Sequence, residues 1–440
     1  MTANAFKNVA VNVCRFLVAA TFIFSGYVKA IDPLGTQYKI HDYLSALSVA
    51  DIIPDYITLG VSVLLAAVEF CLGIFLLFAI RRRLVSKLIL CFMAIMTAIT
   101  VWIALANPVK DCGCFGDAII LSNWQTLGKN IILLAAAIVI CKLPLSMVRF
   151  ISRTNQWIAI NYTIIYCIAT SIYCLYDLPI FDFRPYHIGA DIRKGMEILE
   201  GAPQPQFETT FILKKGNVTK EFSLDDYPDS TWTFVDSKTV QKSEGYVPPI
   251  HDFSMEDMET GDDMTQDILN DKGYTFLLIT PHLENADDSN FGDINQIYDY
   301  CQKQGYRMYA LTASNKKAIS RWADMTGAEY KFLFTDETTL KTVIRSNPGL
   351  ILIKDGVVLQ KWSHNKLPEL NDRTPALDKT PEGRLSEDIA GKKIGYILLW
   401  FFMPLFLLSF ADRTWAWTKW VRRKNCDNDG NETENKEEQI

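Results

Sequence analysis

Six long apolar runs, separated by short polar breaks, dominate the pattern along the chain. They cover roughly 10–31, 57–80, 84–106, 126–147, 156–178 and 394–411. Each is close to the ~20 residues that an α-helix needs to cross the hydrocarbon of a bilayer. The pattern predicts a membrane bundle of about six transmembrane helices. The last run is the shortest. Trp400 lies within it, and Trp415, Trp417 and Trp420 follow it. Indole rings favour the membrane interface, so this end reads as a helix terminus. The first run does not read as a cleavable signal. It is too long, and Ser25, Gly26 and Tyr27 lead into Lys29 and Asp32 without a small-residue cleavage pattern.

Between the fifth and sixth runs the texture changes. From about 200 the chain reads as a large globular insert. Two strand-like runs, Gln206–Lys214 and Val218–Leu224, flank a hairpin signal at Lys215-Gly216-Asn217, and Trp232–Asp236 adds another strand. Met255–Asp263 is acidic and rich in turn residues. Tyr274–Thr280 then reads as a buried strand, Asn290–Gln304 as a helix, Tyr306–Thr312 as a second buried strand and Lys316–Thr326 as a second helix. Phe332–Phe334 gives a short strand, Glu337–Ile344 a helix, and Leu350–Lys354 with Val357–Trp362 a hairpin around Asp355-Gly356. This order predicts an α/β layer with parallel central strands, closed by an antiparallel hairpin. The implied organisation is a four-helix membrane module at 1–150, a fifth helix and linker at 151–199, a small β-rich segment at 200–248 and an α/β domain at 249–370. A linker with the sixth helix at 371–412 and a tail at 413–440 complete it. The acidic end of that tail, 425–440, reads as disordered.

Composition and charge refine this picture. The chain has 440 residues, 49% hydrophobic and 21% charged, with mean hydropathy +0.08. That balance suits a membrane part joined to a water-soluble part. A net charge of −6 leaves no basic field for nucleic acid. Lysine and arginine set the orientation. Arg81, Arg82, Arg83, Lys87, Lys142, Arg149, Arg153, Arg422, Arg423 and Lys424 fall on one side of a six-span bundle; the opposite loops are poorer, with Lys39 and Lys110, and Lys392 and Lys393 oppose the reading slightly. The expected localisation is a bacterial inner membrane, with both termini cytoplasmic and residues 179–393 periplasmic.

Ten cysteines are too few for a disulfide scaffold. Only Cys112 and Cys114 are close in sequence and outside an apolar run. A disulfide between positions i and i+2 closes a small, strained ring and is comparatively easy to reduce. Gly113 and Gly116 relax the backbone for it. Two readings stand: a redox pair, or a constrained turn capping the helices. Asp111 and Asp117 flank the pair and are expected to raise the thiol pKa. No metal is expected, because zinc wants four ligands and no histidine or cysteine partner is near in sequence. Cys301, at a core-facing helical position, reads as a buried structural thiol.

Charged residues in the apolar runs are costly and are functional candidates by default. Glu69 lies about twelve residues into the second run, hence ~18 Å deep at 1.5 Å per residue, near the midplane. It reads either as functional or as a protonated group bonded inside the bundle. Arg15 enters the first run near the cytoplasmic face and can snorkel or reach toward Glu69. Lys29 and Asp32 are spaced for an i,i+3 pair at a helix end. The alternative is a polar seat for a quinone head group.

Two resemblances follow. Residues 10–147 resemble the DoxX/MauE family of four-helix membrane proteins. The match rests on Arg15 with 24–35 (FSGYVKAIDPLG), Lys39 and Tyr43, on 69–73 (EFCLG), and on 111–117 (DCGCFGD) with Trp124. It implies quinone-linked chemistry, with Arg15, Lys29, Asp32 and Trp124 at the quinone site, or maturation of a disulfide-rich periplasmic client. The run 345–358 (RSNPGLILIKDGVV) resembles the second half of a thioredoxin-like domain of the TlpA/peroxiredoxin type. That resemblance covers roughly 250–370 and implies a cis peptide before Pro348. The place where that family keeps Cys-x-x-Cys reads Thr280-Pro281-His282-Leu283, with no cysteine. His282 and Pro348 are then candidates for lining a partner-binding groove, although His282 also fits an ordinary surface site.

Two functions remain open at this point. One is a membrane thiol–disulfide oxidoreductase or electron relay, with Cys112, Cys114 and Glu69 as its catalytic residues. The other is a non-catalytic anchor or assembly factor whose redox-inactive domain binds a periplasmic partner.

Overall fold

The structure is a computed structural model. It describes residues 2–109, 111–198, 201–202, 206–215, 218–223, 233–243, 245–386 and 390–419. The expected turn at Gly216-Asn217, Leu224, Trp232, Trp420 and the tail beyond it lie outside the described residues.

Six helices are long and apolar enough to cross a membrane, which makes this a membrane protein. They are α1 (Thr2–Ile31), α3 (Asp55–Leu77), α4 (Arg82–Ala106), α5 (Asn123–Lys142), α6 (Gln156–Tyr176) and a last span, α12 (Gly391–Lys419). Each coincides with an apolar run, and α12 extends further than its run. Between α1 and α3 lies α2 (Pro33–Ala46). Asp32 caps it by accepting from the Gly35 amide, and Pro33 fills its first position, where a missing N–H costs nothing. Its Gln37 bonds Thr58 Oγ1 at 3.1 Å, and Ser62 bonds the Pro33 carbonyl, so α2 lies along the first turns of α3. A capping box of Ser122 and Gln125 starts α5.

α1 and α3 cross closely because small residues sit at the crossing. A Cβ at Gly26 would stand 2.3 Å from the Phe70 nitrogen, and one at Gly73 would stand 2.7 Å from the Ile23 nitrogen. Small residues at such points let two backbones approach where lipid offers no hydrophobic drive between helices. In α12 a π turn at Leu398–Phe402 carries Phe401 into an aromatic nest with Phe70, Tyr162 and Tyr166.

The insert begins with a small antiparallel sheet of β1 (Gln206–Lys215), β2 (Val218–Ser223) and β3 (Thr233–Ser243), in the order β2-β1-β3. A six-stranded mixed sheet follows. Its strands are β4 (Glu256–Asp257), β5 (Tyr274–Ile279), β6 (Arg307–Thr312), β7 (Lys331–Phe334), β8 (Gly349–Lys354) and β9 (Val357–Ser363), in the order β4-β7-β6-β5-β8-β9. β5, β6 and β7 run parallel, and β8 and β9 close the sheet as an antiparallel hairpin. Two short helices, α7 (Ile192–Met196) and α8 (Thr265–Leu269), flank the sheet, and α9 (Phe291–Gln304), α10 (Lys316–Thr326) and α11 (Glu337–Val343) complete the layers. Two apolar cores form, one on each face, and Cys301 is fully enclosed in the one under α9. The Asn347–Pro348 peptide is cis.

The free edge of β9 is covered by the segment after α6. Gly189 and Ile192 donate to the Val358 and Gly356 carbonyls, and Val358 donates to Ala190. Covering an edge in this way removes a template for unwanted pairing. Asp182 locks the same segment down, 2.8 Å from Lys361 and 2.7 Å from Arg184. Burial pushes the Asp182 carboxyl up, but these two cations hold it well below the usual carboxylate range.

Candidate functional site: a dithiol loop over a buried ion pair

The close crossing of α1 and α3 brings Lys29 to Glu69. Lys29 Nζ stands 2.7 Å from Glu69 Oε2, and both side chains are under a tenth exposed. Ser25, one helical turn before Lys29, donates to the same carboxylate oxygen at 2.7 Å. The expected i,i+3 pair of Lys29 with Asp32 does not form. Gly26 offers Lys29 a nearer, more deeply buried carboxylate, and Asp32 turns to Arg345. Arg15 does not reach Glu69 either. It is fully buried midway along α1, beside the C-terminal end of α3, where it bonds the Leu76, Leu77 and Val148 carbonyls and so satisfies the orphan end of α3. Phe70, the neighbour of Glu69, lies against Gly26, about 8 Å from the end of α1 at 1.5 Å per residue.

The loop 107–122 dips onto this pair. Lys29 Nζ donates to the Cys114 carbonyl at 2.7 Å, and Ser25 Oγ lies 2.7 Å from the same carbonyl, its single proton shared between this oxygen and the Glu69 carboxylate. Tyr43 on α2 donates to the Cys112 carbonyl at 2.6 Å, and Lys39 pairs with Asp111 at 2.5 Å. Gly113 and Gly116 take positive φ, which L side chains rarely adopt. With both cysteine carbonyls held, the two sulfurs lie 2.9 Å apart and half-buried.

The pair titrates as a unit. The contact with Cys112 favours a thiolate on Cys114, burial opposes it, and Lys129 and Lys29 add to the pull, so Cys114 is lowered to about 6. The shared proton drives Cys112 upward. Asp111 and Asp117 were expected to raise the thiols. Neither is among the main influences on the two thiols; Asp111 pairs with Lys39 and Asp117 with Arg345.

Arg345 is the residue that the sequence did not announce. It belongs to the α/β domain, in the turn before the cis proline, and is buried against the membrane module. Its Nε stands 3.0 Å from Asp32 Oδ1 and its Nη2 stands 3.4 Å from Asp117 Oδ2. Its guanidinium lies 5.2 Å over the Tyr38 ring. Burial raises Asp32, and Arg345 reverses this, so the carboxyl ends below its usual value. The α/β domain is thus seated on the same end of the bundle as the dithiol loop. Arg82, Arg149 and Arg413 gather at the opposite end.

Residues 7–143 form a MauE family domain, matching the family described as methylamine utilisation protein MauE. Lys29, Glu69, Cys112 and Cys114 all fall within this MauE domain. Residues 207–244, which hold the small sheet, match a domain of unknown function, DUF8463. No curated protein matches the chain.

The remaining candidates are scattered. Trp124 is 65% exposed at the start of α5. His282 pairs with Glu337 at 2.9 Å on the α/β domain, and its carbonyl accepts from Asn347, the residue before Pro348. The proposed quinone seat does not fit these residues. Lys29 and Asp32 are already paired, Arg15 is at the far end, and the cleft beside Asp32 and Gly113 measures about 20 Å³. That is room for about one water molecule and not for a ring.

Proposed function

We propose that this protein is a membrane thiol–disulfide oxidoreductase acting on extracytoplasmic protein clients. The observation that carries this reading is the pair of sulfurs held at 2.9 Å by backbone carbonyls bonded to buried polar side chains. A structural turn needs neither the contact nor a lowered thiol. In the reducing direction the Cys114 thiolate attacks a client disulfide, forming a mixed disulfide and releasing one client thiolate. Cys112 loses its proton and attacks Cys114 Sγ. The Cys112–Cys114 disulfide forms, the second client thiolate leaves, and two electrons pass to the client, whose thiolates take up protons. Run backward, the same steps oxidise a client dithiol. Glu69 acts through Lys29, which it holds at 2.7 Å in an ion pair beside the Cys114 carbonyl. No step is routed through a quinone.

Orientation follows from the basic residues at the end opposite the dithiol. By the positive-inside rule that end is cytoplasmic, the bilayer is the bacterial inner membrane, and the α/β domain is periplasmic. The domain's sheet order and cis Asn347–Pro348 support a thioredoxin-like reading for 249–370. Its corner at Thr280–Leu283 carries no sulfur, so it works by contact. A second reading, a non-catalytic assembly factor, draws on the docking of this domain onto the chain's own membrane module.

Thiol trapping in intact cells, resolved to the 112–114 peptide, separates the two. The oxidoreductase predicts a mixture of reduced and oxidised pair that shifts with a reductant pulse, and loss of function in the Cys112→Ser/Cys114→Ser variant. A fixed redox state with full function in that variant leaves only the assembly factor.

A further inference from the structure

We propose that Arg345, contributed by the inserted domain, is a positioning residue for the Cys112/Cys114 loop, so that the dithiol site is complete only when the α/β domain is seated. The inference rests on the oxidoreductase reading and deepens it.

The loop is held at three points. Its first half is fixed by α2, through Lys39 to Asp111 and Tyr43 to the Cys112 carbonyl. Its middle is fixed from below, through Lys29 and Ser25 to the Cys114 carbonyl. Its last part, Phe115 to Asp117, carries a left-handed glycine at Gly116; Lys129 on α5 stands 4.2 Å over the Phe115 ring, and the ion pair of Asp117 is with Arg345 of the inserted domain. The same guanidinium grips both oxygens of Asp32 at 3.0 and 3.1 Å, and donates to the Lys341 carbonyl of its own domain. One planar side chain therefore ties α11, the α1–α2 junction and the dithiol loop together. Arginine suits the task, because its rigid fork holds two carboxylates where a lysine offers a point charge.

Charge points the same way. Asp32 and Asp117 both line the small cleft against Gly113 and Gly116, with Lys39 and Arg184 as the other charged groups there. Without Arg345 the two carboxylates lose their shared counter-ion. The last part of the loop is then pushed off Asp32, and negative charge that Lys39 and Arg184 offset less closely lies three residues from Cys114. Both changes disfavour a thiolate, and with it the reduced pair.

The experiment uses the full chain in lipid nanodiscs, equilibrated in glutathione buffers, with differential alkylation read on the 112–114 peptide. Wild type is expected to titrate reversibly. Arg345→Ala is expected to need at least tenfold more reducing buffer at its midpoint, and its alkylation profile moves to higher pH. Arg345→Lys, which keeps the charge, recovers most of the pH profile and less of the midpoint. Asp117→Asn, which removes one carboxylate and keeps Arg345, moves the profile the other way, a direction that general loosening cannot produce. If Arg345→Ala does not fold, Asp117→Asn decides alone. Superimposable curves for a folded Arg345→Ala, or an unmoved Asp117→Asn when that variant decides, overturn the proposal while the oxidoreductase stands. A wild-type pair that stays in one state at every ratio overturns both.

Discussion

Two loops of this molecule share a setting and differ in chemistry. The Asp111–Asp117 loop of the membrane module and the Thr280–Glu284 corner of the α/β domain are both polar turns beside a buried element. In the membrane loop the backbone carbonyls are held by Lys29, Ser25 and Tyr43, and the side chains left over are two sulfurs in contact. In the α/β corner there is no sulfur and the polar groups close on their own domain. His282 pairs with Glu337, and Glu284 accepts from Ser314 at 2.8 Å. The α/β domain turns outward through Arg345, one turn along from its cis proline. The difference assigns reactive atoms to one region and positioning to the other.

The largest effect expected on this comparison comes from unpairing the ion pair under the dithiol. Glu69→Ala leaves Lys29 buried without its carboxylate, which typically costs about 3–5 kcal/mol. Unfolding in detergent should detect it, and a Lys29→Met/Glu69→Leu double variant should recover most of the loss while the dithiol stays altered. Equal loss in the double variant would argue against a paired geometry.

Arg15→Ala comes next. It strips a charged donor from the end of α3, and hydrogen bonds to charged groups are worth roughly 1.5–3 kcal/mol each when made. The loss should appear as lower thermal stability with an unchanged pH profile of the dithiol, because Arg15 is at the opposite end of the bundle.

The thiols themselves sharpen the contrast. In the reduced protein the Cys112/Cys114 pair should begin to alkylate at a pH below that of an ordinary thiol, since its first proton is lost more easily and the thiolate fraction at neutral pH rises. Cys301, enclosed in the core and pushed up to about 12 by burial, should react only when the domain opens. Equal rates at pH 7 would remove the distinction between the two regions.

Acid should loosen the seating of the domain. Asp32 and Asp182 both sit below their usual value when folded. Their stabilisation is therefore complete above the unfolded carboxylate pKa of ~3.9 and is lost as pH falls through the folded values. Asp32→Asn should flatten part of this acid sensitivity in a melting series carried from about pH 5 down to about pH 2. The smallest effect is expected for His282→Ala. Its exposed pair with Glu337 is worth at most about 1 kcal/mol, and Glu337 keeps Lys341.

The spans and the mixed sheet were legible in the sequence because both are written in uninterrupted apolar runs. The segment 32–55 was not, because α2 lies across other elements and carries a mixed pattern. Its signals were local: a capping Asp32 followed by Pro33. β4 was missed because two residues in an acidic stretch give no alternation to read. In the site, Cys112 and Cys114 announced themselves by spacing. The pairing of Lys29 was misread because i,i+3 spacing suggests a neighbour on the same helix, while the partner lies across a glycine crossing. Gly26 and Gly73 were the available hint of that crossing. Arg345 had no local signal, since it and Asp117 are 228 positions apart and its role exists only after docking.

That separation has a consequence for biosynthesis. At roughly 5–20 residues per second, the clasp leaves the ribosome about 10–45 s after the loop it holds. Throughout that interval the nascent membrane module carries its two thiols on a half-tethered loop. Maturation of the protein is thus ordered in time: the first five spans, then the insert, with a fixed sulfur geometry only once Arg345 arrives, ahead of the last span.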